Sequence, residues 1–111
     1  METRQERLAA NEALFRTVNE HIRDAAAAHG DDPHAYEFLC ECSNTDCDLR
    51  LTLPLATYET VRSNPARFIV APGHHLPDIE SIIAERQGYT VIEKDTEAAR
   101  RLVSELDPRR P

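Results

Sequence analysis

Three cysteines, Cys40, Cys42 and Cys47, fall within eight residues of this 111-residue chain. Their spacing is C-x-C-x4-C, and the intervening Ser43-Asn44-Thr45-Asp46 is turn chemistry. Residues i and i+2 of a strand point to the same side, so Cys40 and Cys42 can face one ion, and a turn returns Cys47 toward them. Zinc takes about four soft or borderline ligands in a tetrahedron, so three thiolates from one hairpin leave one position to fill. Pro72-Gly73-His74-His75 can fill it, because glycine permits a sharp turn at the end of a strand. His74 is the expected fourth ligand and His75 the alternative, since neighbouring residues seldom both face one ion. Asp46 and Asp48 are hard oxygen donors and suit a thiolate-rich site less well. His21, His29 and His34 lack a strand-end turn and are expected at solvent or at interfaces. The metal set is therefore Cys40, Cys42, Cys47 and His74, with Zn2+ as the cofactor. A redox thiol cluster, or cysteines buried as small hydrophobes, are the competing readings.

Such an ion would matter energetically. A structural thiolate-rich zinc site contributes on the order of 10–16 kcal/mol of apparent binding free energy, whereas a whole domain is stable by about 5–15 kcal/mol. With 41% hydrophobic residues and no tryptophan, the chain promises a thin core that gains from a metal staple. The charged N-terminus has no apolar run behind it, and no segment is apolar enough to span a bilayer. An odd number of clustered cysteines favours metal or redox chemistry over a disulfide framework. A cytoplasmic protein without membrane contact is expected.

The elements that must position these residues read as a small α+β domain. Residues 1–30 predict a long helix, starting near Thr3 and stopped by Gly30 to Pro33. Its apolar seam is read as Leu8, Asn11, Phe15, Val18, Ile22 and Ala25, widened by Leu14 and His21. Packing on its own domain is expected, with a partner or homodimer seam as the alternative. Residues 31–107 predict a zinc-stapled core. Tyr36, Phe38, Cys40 and Cys42 alternate on one face of a hairpin, answered by Leu49, Leu51 and Leu53 in the return strand. A short helix follows over 55–63, then a strand over 67–71. Pro77, the acids Asp78 and Glu80, the isoleucines 79, 82 and 83 and the stop signal Gly88 predict another helix. A strand over 89–93, a helix capped by Asp95 or Thr96, and a tail over 108–111 complete the chain.

The residues Phe38-Leu39-Cys40-Glu41-Cys42, Cys47, Tyr58-Glu59, Val61-Arg62, Pro65, Phe68 and Val70-Ala71-Pro72-Gly73-His74 resemble a family of small bacterial proteins of actinobacterial type. Glu12-Ala13-Leu14-Phe15, Val91-Ile92-Glu93-Lys94 and Asp107-Pro108-Arg109 carry the likeness over nearly the whole chain. The resemblance implies that His74, rather than His75, is the characteristic histidine. It implies no activity.

Charge separates the function classes. The formal net charge is −7. Between Ala25 and Thr60 seven acids (Asp31, Asp32, Glu37, Glu41, Asp46, Asp48 and Glu59) face the single base Arg50. Phosphate binding needs Lys and Arg near the site, so the pattern argues against nucleic acid, although Arg100, Arg101, Arg109 and Arg110 leave a basic patch open. The charge of three thiolates makes the bound ion a poor Lewis acid, and no H-E-x-x-H, Walker or G-x-S-x-G motif occurs, which places an enzyme last. The favoured expectation is a structural-zinc protein that binds another protein or regulates one. A nucleic-acid-binding zinc protein and a redox- or zinc-responsive switch are the alternatives.

Overall fold

The computed structural model describes residues 3–28 and 35–110. The expected helix stop at residues 30–33, together with His29 and His34, lies outside the described residues. Among those described, the fold is α+β, with three helices and two small antiparallel sheets. None of the helices is long and apolar enough to cross a membrane.

Helix α1 (Arg4–Ala27) begins at a capping box. The Thr3 hydroxyl accepts from the Glu6 amide and the Glu6 carboxylate from the Thr3 amide, which satisfies two backbone donors of the first turn. The face that α1 buries differs from the expected seam. Leu14 and Val18 are 57% and 40% exposed, Ala25 and His21 are also exposed, and Leu8, Asn11, Phe15 and Ile22 are half-buried. The buried stripe is instead Ala9, Glu12, Ala13, Arg16, Asn19, Glu20 and Ala26, about a third of a turn away. Tertiary partners explain this. Arg16 donates to the carbonyls of Pro65 and Val103, each at 2.6 Å, and lies over the Phe68 ring at 4.7 Å. Glu12 meets Lys94 and Glu20 meets Arg62, so polar side chains occupy a face that hydrophobic periodicity assigns to solvent.

Strands β1 (Ala35–Leu39) and β2 (Arg50–Pro54) form the expected hairpin, with Phe38 opposite Leu51 and Tyr36 opposite Leu53. Leu51 and Leu53 are buried, whereas Leu49 precedes the strand and is exposed. Helix α2 (Leu55–Arg62) covers Phe38 through Tyr58, whose ring stacks on it at 4.3 Å and 7°. Strand β3 (Arg67–Val70) carries the buried Phe68, Ile69 and Val70.

The helix expected from Pro77 to Gly88 is not formed. Residues Glu80–Arg86 are strand β4, paired antiparallel to β5 (Tyr89–Lys94) in a sheet of order β3-β5-β4. Gly88, read as a helix stop, turns this hairpin with φ +88. The amides of Ile79 and Glu80 both bond to the Leu76 carbonyl, so Pro77 does open a helical turn, but it is not continued. β-branched isoleucines lose side-chain freedom in a helix, and pairing with β5 offers more. Of the three, only Ile79 is buried, and a register shift between Ile82 and Ala84 leaves the other two isoleucines exposed on the edge strand. Helix α3 (Glu97–Glu105) starts at Thr96, whose hydroxyl accepts from the Ala99 amide, and buries Ala99 and Val103. Beyond α3, Arg109 ties the chain end back to Glu20 and Glu59.

Candidate metal centre

Cys40 follows β1 directly and keeps one more ladder bond, its amide donating to the Leu49 carbonyl. The Glu41 amide then donates to the Ile69 carbonyl, so the chain passes from the first sheet to β3 between the two cysteines. That crossing places Cys40 and Cys42 against the end of β3, where the histidine turn begins. Cys47 comes back through a turn in which its amide donates to the Asn44 carbonyl and the Asn44 side chain accepts from the Asp46 amide.

The Ala71-Pro72-Gly73-His74 segment is a type II turn. The His74 amide donates to the Ala71 carbonyl at 3.0 Å, proline holds the second position, and Gly73 supplies the positive φ, +83, required at the third. The turn aims His74 Nδ1 at the thiols, 3.7 Å from both Cys40 Sγ and Cys47 Sγ. One potential ligand atom from each of Cys40, Cys42, Cys47 and His74 lies within 4.8 Å of the others, so these four residues could hold a metal ion. His75, Asp46, Asp48 and His21 are not in this group.

Cys40 and Cys42 are buried, while Cys47 and His74 are partly open to solvent. Burial pushes the Cys40 thiol up, and the neighbouring Cys42 and Cys47 push it further; burial raises Cys42 as well. The Ala71 amide works against this, donating to Cys40 Sγ at 3.0 Å. An amide aimed at sulfur favours thiolate, and a cation between the sulfurs would complete the inversion.

Several residues that build the site carry only a faint sequence signal of that role. Asn19, from α1, pairs with Leu39 as a strand would, accepting from its amide at 2.7 Å and donating to its carbonyl at 2.9 Å. Its second N–H reaches Glu41 Oε2 at 2.9 Å, and Glu41 Oε1 accepts from the Ile69 amide. Glu41 therefore faces away from the thiols, as strand alternation predicts, but into the protein. Burial pushes its carboxyl up to about 7, with Asn19 and the Ile69 amide pulling it back. Asn11, a polar intrusion in the expected seam, donates to the Ser43 carbonyl and braces the cysteine loop. The available hint is an asparagine in mid-helix, where its propensity is poor and a tertiary partner is the usual reason.

Against known protein families, characterised proteins and solved structures, neither the chain nor its fold finds a significant match.

Proposed function

We propose that this protein is a small zinc-stapled module that binds another protein through the surface around its metal loop. The observation that carries the reading is the convergence of three sulfurs and one imidazole nitrogen from two separate loops. A tetrahedral zinc with Zn–S of about 2.3 Å and Zn–N of about 2.05 Å has S···N edges of about 3.6 Å. The Cys40 and Cys47 S···N separations, both 3.7 Å, match that edge, and all four ligand atoms lie within 4.8 Å of one another. Thiolates with an imidazole suit zinc better than magnesium or calcium, which prefer oxygen. Four protein ligands would close the shell and favour a structural ion over a catalytic one.

The partner reading rests on what surrounds the loop. Glu37, Asp46 and Asp48 are exposed, and Leu49, between Asp48 and the exposed Arg50, is 46% exposed. An apolar side chain on a surface where acids outnumber bases fits a basic, partly apolar protein segment, and the carboxylates repel phosphate backbones. Immobilised zinc-loaded protein tests this against two controls, Cys40→Ser to remove the metal and Leu49→Asp to alter the surface while the site stays intact. Proteins retained by the native chain and lost by both controls support the reading. Retention by both controls, or binding of generic DNA at physiological salt with a steep salt dependence, overturns it.

A further inference from the structure

The buried charge cluster Glu12–Lys94–Glu80 lies outside the candidate ligand set, yet it reaches the histidine loop. Lys94 is fully buried, and its ammonium donates to Glu12 Oε1 at 2.5 Å and to Glu80 Oε2 at 2.9 Å. The other Glu80 oxygen, Oε1, accepts from the Leu76 amide at 2.7 Å. Leu76 is two residues beyond His74, and its carbonyl takes the amides of Ile79 and Glu80.

The loop from Ala71 to Glu80 is thereby fixed at both ends. The type II turn and the Ala71 amide on Cys40 Sγ hold its start, and the Glu80 carboxylate holds the far side. His74 and His75 lie between these two anchors. A buried carboxylate with one oxygen on a fixed ammonium has little freedom to move, so it sets the position of the amide on its other oxygen. We propose that Glu80, braced by Lys94 and Glu12, is a positioning residue for the metal centre. It holds the loop in the form that presents His74 Nδ1, and not a His75 nitrogen, to the three sulfurs. This deepens the zinc reading and rests on it. Residues that orient metal ligands commonly change affinity by 10–100-fold when removed.

Cobalt(II) titration of the full chain tests the proposal, because thiolate-to-cobalt charge transfer and the ligand-field bands report sulfur count and geometry separately. Glu80→Leu keeps the volume and leaves Lys94 its Glu12 partner, but removes the acceptor for Leu76. Glu80→Gln keeps an acceptor. The expected result for Glu80→Leu is about tenfold weaker cobalt binding with the charge-transfer band retained and the ligand-field bands altered. Glu80→Gln should restore most of the affinity. In a His74→Ala background Glu80→Leu should change affinity less than about twofold, since its effect runs through the histidine. Circular dichroism verifies folding, and Glu80→Met replaces the leucine variant if that chain does not fold. Equal losses with and without His74 would overturn the positioning role while leaving the metal site standing. A native chain that gives no charge-transfer band would overturn the metal reading itself, and this inference with it.

Discussion

Replacing Glu12 by glutamine separates two descriptions of the buried cluster that make opposite demands on pH. Burial pushes the Glu12 carboxyl from its ordinary 4.5 up to about 9, and a hydrogen bond with Glu80 adds to this while Lys94 pulls the other way. Two carboxylates and one ammonium thus hold one extra proton at neutral pH, which leaves the cluster close to neutral inside the core. Between about pH 5.5 and 8 the folded chain binds that proton and the unfolded chain has released it. The unfolded state then binds fewer protons, so stability falls as pH rises, by about 1.4 kcal/mol per unit for one proton. The loss amounts to roughly 3 kcal/mol across two units, a large share of a domain's 5–15 kcal/mol. Glutamine cannot ionise and mimics the neutral form, so this slope should vanish in Glu12→Gln. Urea denaturation of both proteins at saturating zinc, at pH 5.5 and 7.5, gives the difference. The Glu41 carboxyl, also raised, contributes a slope of the same sign to both proteins and cancels. The native chain should lose roughly 3 kcal/mol relative to the variant between the two pH values. Parallel pH dependences, with glutamine destabilising at both, would show that Glu12 is ionised in a simple pair with Lys94 and would refute the shared-proton description.

Other perturbations follow from the same geometry. His74→Ala should weaken zinc binding and lower the melting temperature, while His75→Ala should leave competitive zinc affinity nearly unchanged; the reverse would move the ligand role one residue along. Arg62 is fully enclosed between Glu20 and Asp107, at 2.5 Å from each, so Arg62→Leu should cost about 3–5 kcal/mol in urea denaturation. A cost under about 1 kcal/mol would mean that these ions are not desolvated together. Phe38→Ala should cost about 3–5 kcal/mol through its buried ring, whereas half-buried Phe15 should cost no more than about 2 kcal/mol, and comparable losses would contradict the orientation of α1.

The candidate site is legible in the sequence because its signals are local. Cys40 and Cys42 sit two apart, Asn44 and Asp46 make a turn, and Pro72-Gly73 has one well-populated turn geometry. The hairpin, α2, β3, β5 and α3 are legible for the same reason. The facing of α1 is not, since Glu12, Arg16, Asn19 and Glu20 are buried by partners 20 to 89 residues away, and Leu14 and Val18 are left outside. Residues 77–88 mislead because three isoleucines at three- and one-residue spacing fit a helical stripe, while the segment from Glu80 onward pairs with β5 instead, Ile82 opposite Ile92. In the sequence Glu80 has the appearance of an acid at a helix N-terminus; its contact with Lys94 and the Leu76 amide depends on the strand that forms instead.

The most direct test is the metal content and ligand shell of the full chain purified without chelator. X-ray absorption at the zinc edge, paired with elemental analysis, should give about one zinc per chain with three sulfurs near 2.3 Å and one nitrogen near 2.0–2.1 Å. A strong chelator should remove the ion and the cooperative melting transition together. Protein that contains no zinc and melts cooperatively in that chelator would contradict the zinc staple outright. An ion bound by sulfur alone would retain the staple and exclude His74 from it.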